Sequence, residues 1–149
     1  MSAFIGIAQT AEEALAATTA ETIIQLVAAA NHRVKVLGWG VFFDSTSPTA
    51  EPVQVRLLRQ TDAGSGTALT LAKYDDSLAE TLQTSGLENF IYEPTAGAVL
   101  DVVEVHPQTG YEVKYPMGQE PIIGGGDRLG LECTAPAIVN VRAKILFEE

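Results

Sequence analysis

Hydrophobic and polar residues alternate along much of this chain with a period of two. From Val139 to Phe147 the odd positions Val139, Val141, Ala143, Ile145 and Phe147 are all apolar, while the even positions include Asn140, Arg142 and Lys144. Side chains of a strand point alternately to opposite faces, so this pattern predicts one buried face and one wet face, as in an antiparallel sheet. Leu129, Leu131 and Cys133 repeat it, as do Val53, Val55 and Leu57 against Gln54 and Arg56, and Val103 and Val105 against Glu104 and His106. The runs are punctuated by turn signals at Asp44–Pro48, Asp62–Gly66, Thr84–Gly86, Pro94–Gly97, Pro107–Gly110 and Gly124–Asp127. Short strands between regular turns are the pattern of an all-β sandwich or barrel.

Two segments depart from it. Arg33 to Phe43 begins in alternation and then becomes apolar on both faces through Leu37, Trp39, Val41, Phe42 and Phe43. A two-sided apolar strand is expected beneath a neighbouring element or a partner chain. Gly38 and Gly40 share one face, which points to close backbone approach or a bend. Trp39, the single tryptophan, reads first as a core anchor and second as a contact residue. Between Thr10 and Asn31, Thr10-Ala-Glu-Glu13 has the form of a capping box, and Glu21 to Ala30 has helical composition. Thr22, Ile23, Ile24 and Val27 oppose a helix. The expectation is one short helix over 21–30, with 14–20 extended.

At 149 residues the chain fits one domain, expected as a β-sandwich over 13–149 preceded by an arm or first strand over 1–12. Nine basic residues against nineteen acidic give a net charge of −10, and no Lys/Arg cluster offsets it. Nucleic acid and anionic membranes are therefore not expected partners. The mean hydropathy of +0.14 is high for so acidic a chain, and a subunit interface would cover the surplus apolar surface. No basic leader precedes Phe4–Ala8, and the longest strongly apolar run, Val36–Phe43, is too short to cross a bilayer.

Candidate chemistry is sparse. Cys133, the only cysteine, falls on an apolar strand face and reads as a small buried hydrophobe. His32 and His106 are far apart in sequence, and Gly64-Ser-Gly66 lacks the spacing of a nucleophile elbow. Gly124-Gly-Gly126 is followed by Asp127 and a strand in place of Gly-Lys-Ser/Thr and a helix, so it predicts a tight turn with positive φ. Asp75-Asp76 stands outside any calcium-loop pattern and reads as a solvated turn. Tyr111 and Tyr115 share a strand face and offer a possible sugar platform, or simple packing. No catalytic, cofactor or metal residue is assigned.

Several stretches carry a resemblance. They are Ala28-Ala-Ala-Asn-His-Arg-Val-Lys-Val-Leu-Gly-Trp-Gly-Val-Phe-Phe-Asp44, Ala50-Glu-Pro-Val-Gln-Val-Arg-Leu-Leu-Arg-Gln-Thr61, Glu104-Val-His-Pro-Gln108, Gly124-Gly-Gly-Asp-Arg-Leu-Gly-Leu-Glu-Cys-Thr-Ala-Pro136 and Val139 to Glu149. From about Glu21 onward the chain resembles small β-rich proteins encoded among the head genes of tailed phages, and by architecture the jelly-roll capsid decoration (cement) proteins. The likeness is one of general pattern and brings no site residues with it. It implies a homotrimer, made in the host cytoplasm, that sits on the outside of a virion and bridges neighbouring copies of the major capsid protein. The contact candidates are Phe4, Ile5, Ile7, Trp39 and Phe42, with binding carried by apolar contacts inside a polar rim. The alternative is a carbohydrate- or receptor-binding jelly roll of a phage appendage.

Overall fold

The alternating segments become strands in the computed structural model, which describes residues 4–44 and 46–149. In chain order they are β1 (Ile5–Gln9), β2 (Glu13–Leu15), β3 (Ala20–Val27), β4 (Val34–Phe43), β5 (Val53–Gln60), β6 (Ser65–Leu69), β7 (Ala72–Lys73), β8 (Ser85–Tyr92), β9 (Ala96–Val105), β10 (Gly110–Lys114), β11 (Ile122–Ile123), β12 (Arg128–Thr134) and β13 (Val139–Glu148). They form two antiparallel sheets. The first has the order β10-β4-β13-β1-β7, with β11 also on β4 and β2 also on β13; the second has the order β6-β8-β3-β12-β5-β9.

The pairings are nested. β1 and β2 lie against β13, β3 against β12, β4 against β10 and β11, β5 against β9, and β6 against β8. An antiparallel ribbon of nested pairs rolled into two facing sheets is a jelly roll. Phe4, the first described residue, and Glu149 exchange backbone hydrogen bonds of 3.1 and 2.9 Å. The fold is therefore a β-sandwich whose core lies between the sheets. Trp39, Ile145, Phe147, Leu26, Leu57 and Leu131 are among its fully buried side chains.

β13 is the third strand of its five-stranded path, and Val141 and Ile145 are buried while Arg142 is exposed, as the alternation predicts. The expected helix over 21–30 is not there. Residues 21–27 belong to β3, hydrogen-bonded on both edges to β8 and β12, and 28–30 lead out of it. The β-branched Thr22, Ile23, Ile24 and Val27 decide the outcome against a helix-like composition, because a slot between two strands satisfies their backbone and buries their side chains. A register shift opposite Leu131/Glu132 lets both Ile23 and Ile24 be buried.

The two-sided apolar pattern of β4 also has a different origin from the one expected. Leu146 pairs with Gly38 but Phe147 pairs with Val36, so Leu37 is an extra residue in a β-bulge. One inserted residue reverses the face parity. Val34 and Val36 point inward before it, and Trp39, Val41 and Phe43 point inward after it. Gly38, Gly40 and Phe42 are left on the outer face. Gly38 is needed there because a Cβ would come within 2.6 Å of the Val113 carbonyl oxygen on β10.

The second sheet has a cover of its own. The segment β5–β6 pairs with β8–β9 as one long ribbon, yet β5 flanks β12 while β8 flanks β3. The ribbon must cross the outer face of β3 and β12 at residues 61–64 and 93–95. There the Gln25 amide nitrogen donates to the Asp62 carbonyl (3.1 Å) and to Gln60 Oε1 (2.7 Å), Gln60 Nε2 donates to Thr22 Oγ1 (3.0 Å), and Thr22 N–H donates to Glu93 (2.8 Å).

Candidate interaction face

Among the described residues no ribbon of chain crosses the outer face of the first sheet. Register and parity place Ile5 and Ile7 (β1), Leu146, Lys144 and Arg142 (β13), Lys35 and Phe42 (β4) and Glu112 and Lys114 (β10) on it. Ile5 is 37% exposed and Phe42 is 40% exposed. Tyr74, just past β7 and 62% exposed, reaches over the same surface. With Ile7, Gly38, Lys114, Lys144 and Leu146 it borders a hollow of about 40 Å³, room for about one water molecule. The hollow exists because Gly38 puts no side chain there.

Cations outnumber anions on this face. Lys35, Lys114, Arg142 and Lys144 stand against Glu112, Glu148 and, just past β4 and opposite Asn140, Asp44, a local excess of one positive charge on a chain of net charge −10. Lys144 Nζ lies 3.2 Å from Glu112 Oε1 and 5.4 Å from the centre of the Phe42 ring. Lys35 Nζ lies 3.5 Å from Glu148 Oε1. These pairs are partly solvated, so they orient the side chains more than they stabilise the fold.

The structure thus brings Ile5, Ile7 and Phe42 to one face, with Leu146 and Lys144 between them. Phe4 borders a separate cleft with Asn31, His32, Gln83 and Glu149. Residues 1–3 of the expected arm lie outside the described residues. Trp39 is not a surface contact: it is 1% exposed, and its indole N–H donates to the Tyr115 hydroxyl at 2.9 Å. The bulge at Leu37 turns it inward. Tyr111 packs on Trp39 with ring centres 5.4 Å apart, so Tyr111 and Tyr115 serve the core and form no open platform. Leu146, Tyr74 and the cations were missed in the sequence. Leu146 carried a signal, being an apolar residue in the polar phase of β13. Tyr74 carried none, because only the fold brings β7 beside β1.

Elsewhere the titratable groups take structural roles. Cys133 is fully buried, and burial pushes its thiol well above the ordinary range, which suppresses thiolate chemistry. His106 is exposed, and its Nδ1 accepts from the Gln108 N–H at 3.1 Å. Hydrogen bonds from Ser77, side chain then backbone, hold the Asp75 carboxyl below its usual range in a local turn. Glu13 is pushed up to about 7, first by burial, then by the nearby Glu88, Glu21 and Glu93, while the Asn89 N–H it accepts (2.8 Å) acts the other way. Among the described residues no group of three or more His, Cys, Asp or Glu is placed to hold a metal, and no helix is long and apolar enough to cross a membrane. Comparison with protein-family models, with curated proteins and with solved structures returns no match.

Proposed function

We propose that this chain is a structural protein of the capsid-decoration type, which docks the outer face of its first sheet onto the acidic outer surface of a tailed-phage shell. The observation that carries the reading is that face itself. It sets exposed and half-buried apolar side chains among cations, on a molecule that is otherwise strongly acidic. Apolar contacts mixed with charged groups are usual in protein interfaces, and the sign of the charges selects an acidic partner over a basic one. Apolar contact supplies the affinity and the lysines supply orientation.

Self-association has a different surface. β9 is a ten-residue edge strand, and it exposes Val99, Leu100 and Val102 at 41, 42 and 50%. A long apolar edge with unpaired backbone groups is a template for another chain. The homotrimer expected for a decoration protein is placed there, leaving the sheet face free for the shell. The apolar pattern of β4 lends it no support, since the bulge accounts for that pattern.

The test is co-sedimentation with expanded shells assembled from the major capsid protein encoded beside this gene. Wild-type protein is expected to pellet with the shells, and the Ile7→Ser/Leu146→Ser variant to stay in the supernatant with unchanged β-sheet circular dichroism. Binding is expected to weaken but persist at 1 M NaCl, where the Debye length is about 3 Å and only the ionic contacts are screened. Complete release by salt alone, or undiminished binding by the double variant, would overturn this assignment. So would a gene neighbourhood with no capsid protein in it.

A further inference from the structure

At one end of the sandwich, β5 and β12 of the second sheet and β11 of the first enclose a cleft of about 580 Å³, lined by Arg59, Gln60, Ile122, Gly124, Asp127 and Arg128. Two of the nine basic residues of an acidic chain therefore share one cavity. They come from neighbouring strands, with Arg128 paired to Gln60 and Leu129 to Arg59 in the register. Arg59 Nη1 donates to the Ile122 carbonyl, which ties the guanidinium across the gap between the sheets. Arg128 Nε is buried and has no hydrogen-bond partner.

That last feature is costly in an isolated chain. A guanidinium stays charged at any physiological pH, and a buried N–H of a charged group without an acceptor loses its hydration with no return. Arg56 on the same β5 strand shows the ordinary solution, because it pairs with the buried Glu132. Among the described residues the three ion pairs involve Lys35, Arg56 and Lys144, and neither Arg59 nor Arg128 is within 4.0 Å of a carboxylate. The nearby Asp62 is held by Thr95 and Gly64: Thr95 Oγ1 donates to its Oδ2 at 2.6 Å, and the Thr95 and Gly64 N–H groups donate to its Oδ1. Those bonds first, and the Arg128 charge in smaller part, hold its carboxyl below the usual range, without an ion pair forming. Asp127 lines the cleft and is solvent-exposed.

We propose that this cleft binds a small free oxyanion, the phosphate or carboxylate group of a low-molecular-weight molecule, between Arg59 and Arg128. Guanidinium forks match the paired oxygens of both groups. The cleft lies within the size range of small-molecule sites and exceeds what inorganic phosphate fills, so the anionic group is expected to carry an organic body. Gly124 adds no side chain to the lining, and the Asp127 carboxyl takes the space, since a Cβ on Gly124 would stand 2.8 Å from Asp127 Oδ2. The triple-glycine turn has its own structural reasons: Gly126 has φ of 82°, and a Cβ on Gly125 would stand 2.4 Å from the Ala30 carbonyl oxygen. The anion is held by the arginines and not by a glycine cradle. The site is separate from the sheet face and independent of the docking reading.

The experiment is a titration of the full chain with inorganic phosphate and, separately, with citrate, each at ionic strength held constant with chloride. It is followed by the arginine Nε–H resonances in heteronuclear NMR and by thermal melting. A saturable shift of the Arg128 Nε–H signal and a rise in melting temperature are expected. A response to phosphate alone identifies a phosphate ligand; a response to citrate alone identifies a carboxylate. Arg59→Met and Arg128→Lys are each expected to weaken binding at least about tenfold, the lysine because a point charge cannot replace the fork. Arg56→Met, outside the cleft, is the control and should bind as wild type does. No saturable response to either anion, or equal losses in all three variants, would overturn the proposal.

Discussion

The two sheets meet the core with the same chemistry and meet the outside with opposite chemistry. On their inner faces Ile145 and Phe147 of one sheet oppose Leu131 and Leu57 of the other, all fully buried. On the outer face of the second sheet, Thr22, Gln25 and Gln60 are buried beneath the chain's own ribbon, and their amides and hydroxyl bond one another. On the outer face of the first, Ile5 and Phe42 are exposed among lysines. A polar face covered by its own chain must satisfy most of its hydrogen bonds internally, as this one does except at Gln25 Oε1, which is buried without a partner, and it is closed to partners. An apolar face left uncovered gains stability only when something binds it. Which apolar side chains stay exposed is thus set less by which residues are hydrophobic than by which face the long ribbon crosses.

The largest effect that separates inside from outside lies at two adjacent residues. Ile145→Ala, on the inner face of β13, is expected to destabilise the fold by about 2–5 kcal/mol through the cavity it opens. Leu146→Ala, on the outer face of the same strand, is expected to change stability by less than about 1 kcal/mol. Chemical denaturation of both variants measures the contrast. Equal losses would mean that the outer face is as well packed as the core.

Next in size is the polar layer beneath the ribbon. Gln60→Ala removes the acceptor of one Gln25 N–H and the donor to Thr22 Oγ1 in a buried setting. A loss of about 1–3 kcal/mol is expected, with the protection of residues 61–64 and 93–95 in hydrogen exchange lost before that of β13. Exchange that rises uniformly over both sheets would show that the ribbon is not an independent cover.

How much of this was legible in the sequence follows the reach of each pattern. β12 and β13, and β5 as far as Leu57, were readable because the sequence alternates through them without a break. β3 was misread because Glu21 and the Ala28–Ala30 run just after the strand give 21–30 a helical composition, while the slot between β8 and β12 that decides its fate is made by residues distant in sequence. β4 was read as a strand but its faces were not, since the one-residue bulge at Leu37 leaves no mark in composition. The candidate face was half legible. Ile5, Ile7 and Phe42 were named, but only register shows that Leu146 and Lys144 join them, and the Arg59–Arg128 cleft depends wholly on pairing between strands.

A smaller effect is expected from the acidic side. Glu13 carries a folded-state pKa of about 7 against 4.5 for the free side chain. Between those values the folded chain holds a proton that the unfolded chain has lost. Glu13 therefore contributes stability that is full below about pH 4.5 and is lost as pH rises through about 7. Because the group is partly solvated, the change is expected to be about 1 kcal/mol. Melting temperature should fall between pH 5 and pH 8 by more in the wild type than in Glu13→Gln, which keeps an oxygen to accept the Asn89 N–H. An unchanged pH profile in the variant would move the titration to another carboxyl, with Glu93, also raised chiefly by burial, the next to test.

The smallest effect on stability carries the most information about docking. Lys144 sits at the centre of the open face, 3.2 Å from Glu112 and over the Phe42 ring. Half-exposed pairs of this kind are worth about 0.2–1 kcal/mol, and a solvated cation–π contact is of the same order. Lys144→Gln is therefore expected to shift the denaturation midpoint barely beyond error. If the face docks on an acidic surface, the same substitution leaves Glu112 unneutralised within the contact and reverses part of the local field. It should slow association with shells at low salt, with a smaller difference from wild type at high salt, because solvated interface charges act mainly on the rate of encounter. A variant that loses stability but binds normally would make Lys144 a prop for Phe42 alone. One that binds faster would mean that the partner surface is basic, and would reverse the sign on which the choice of partner rests.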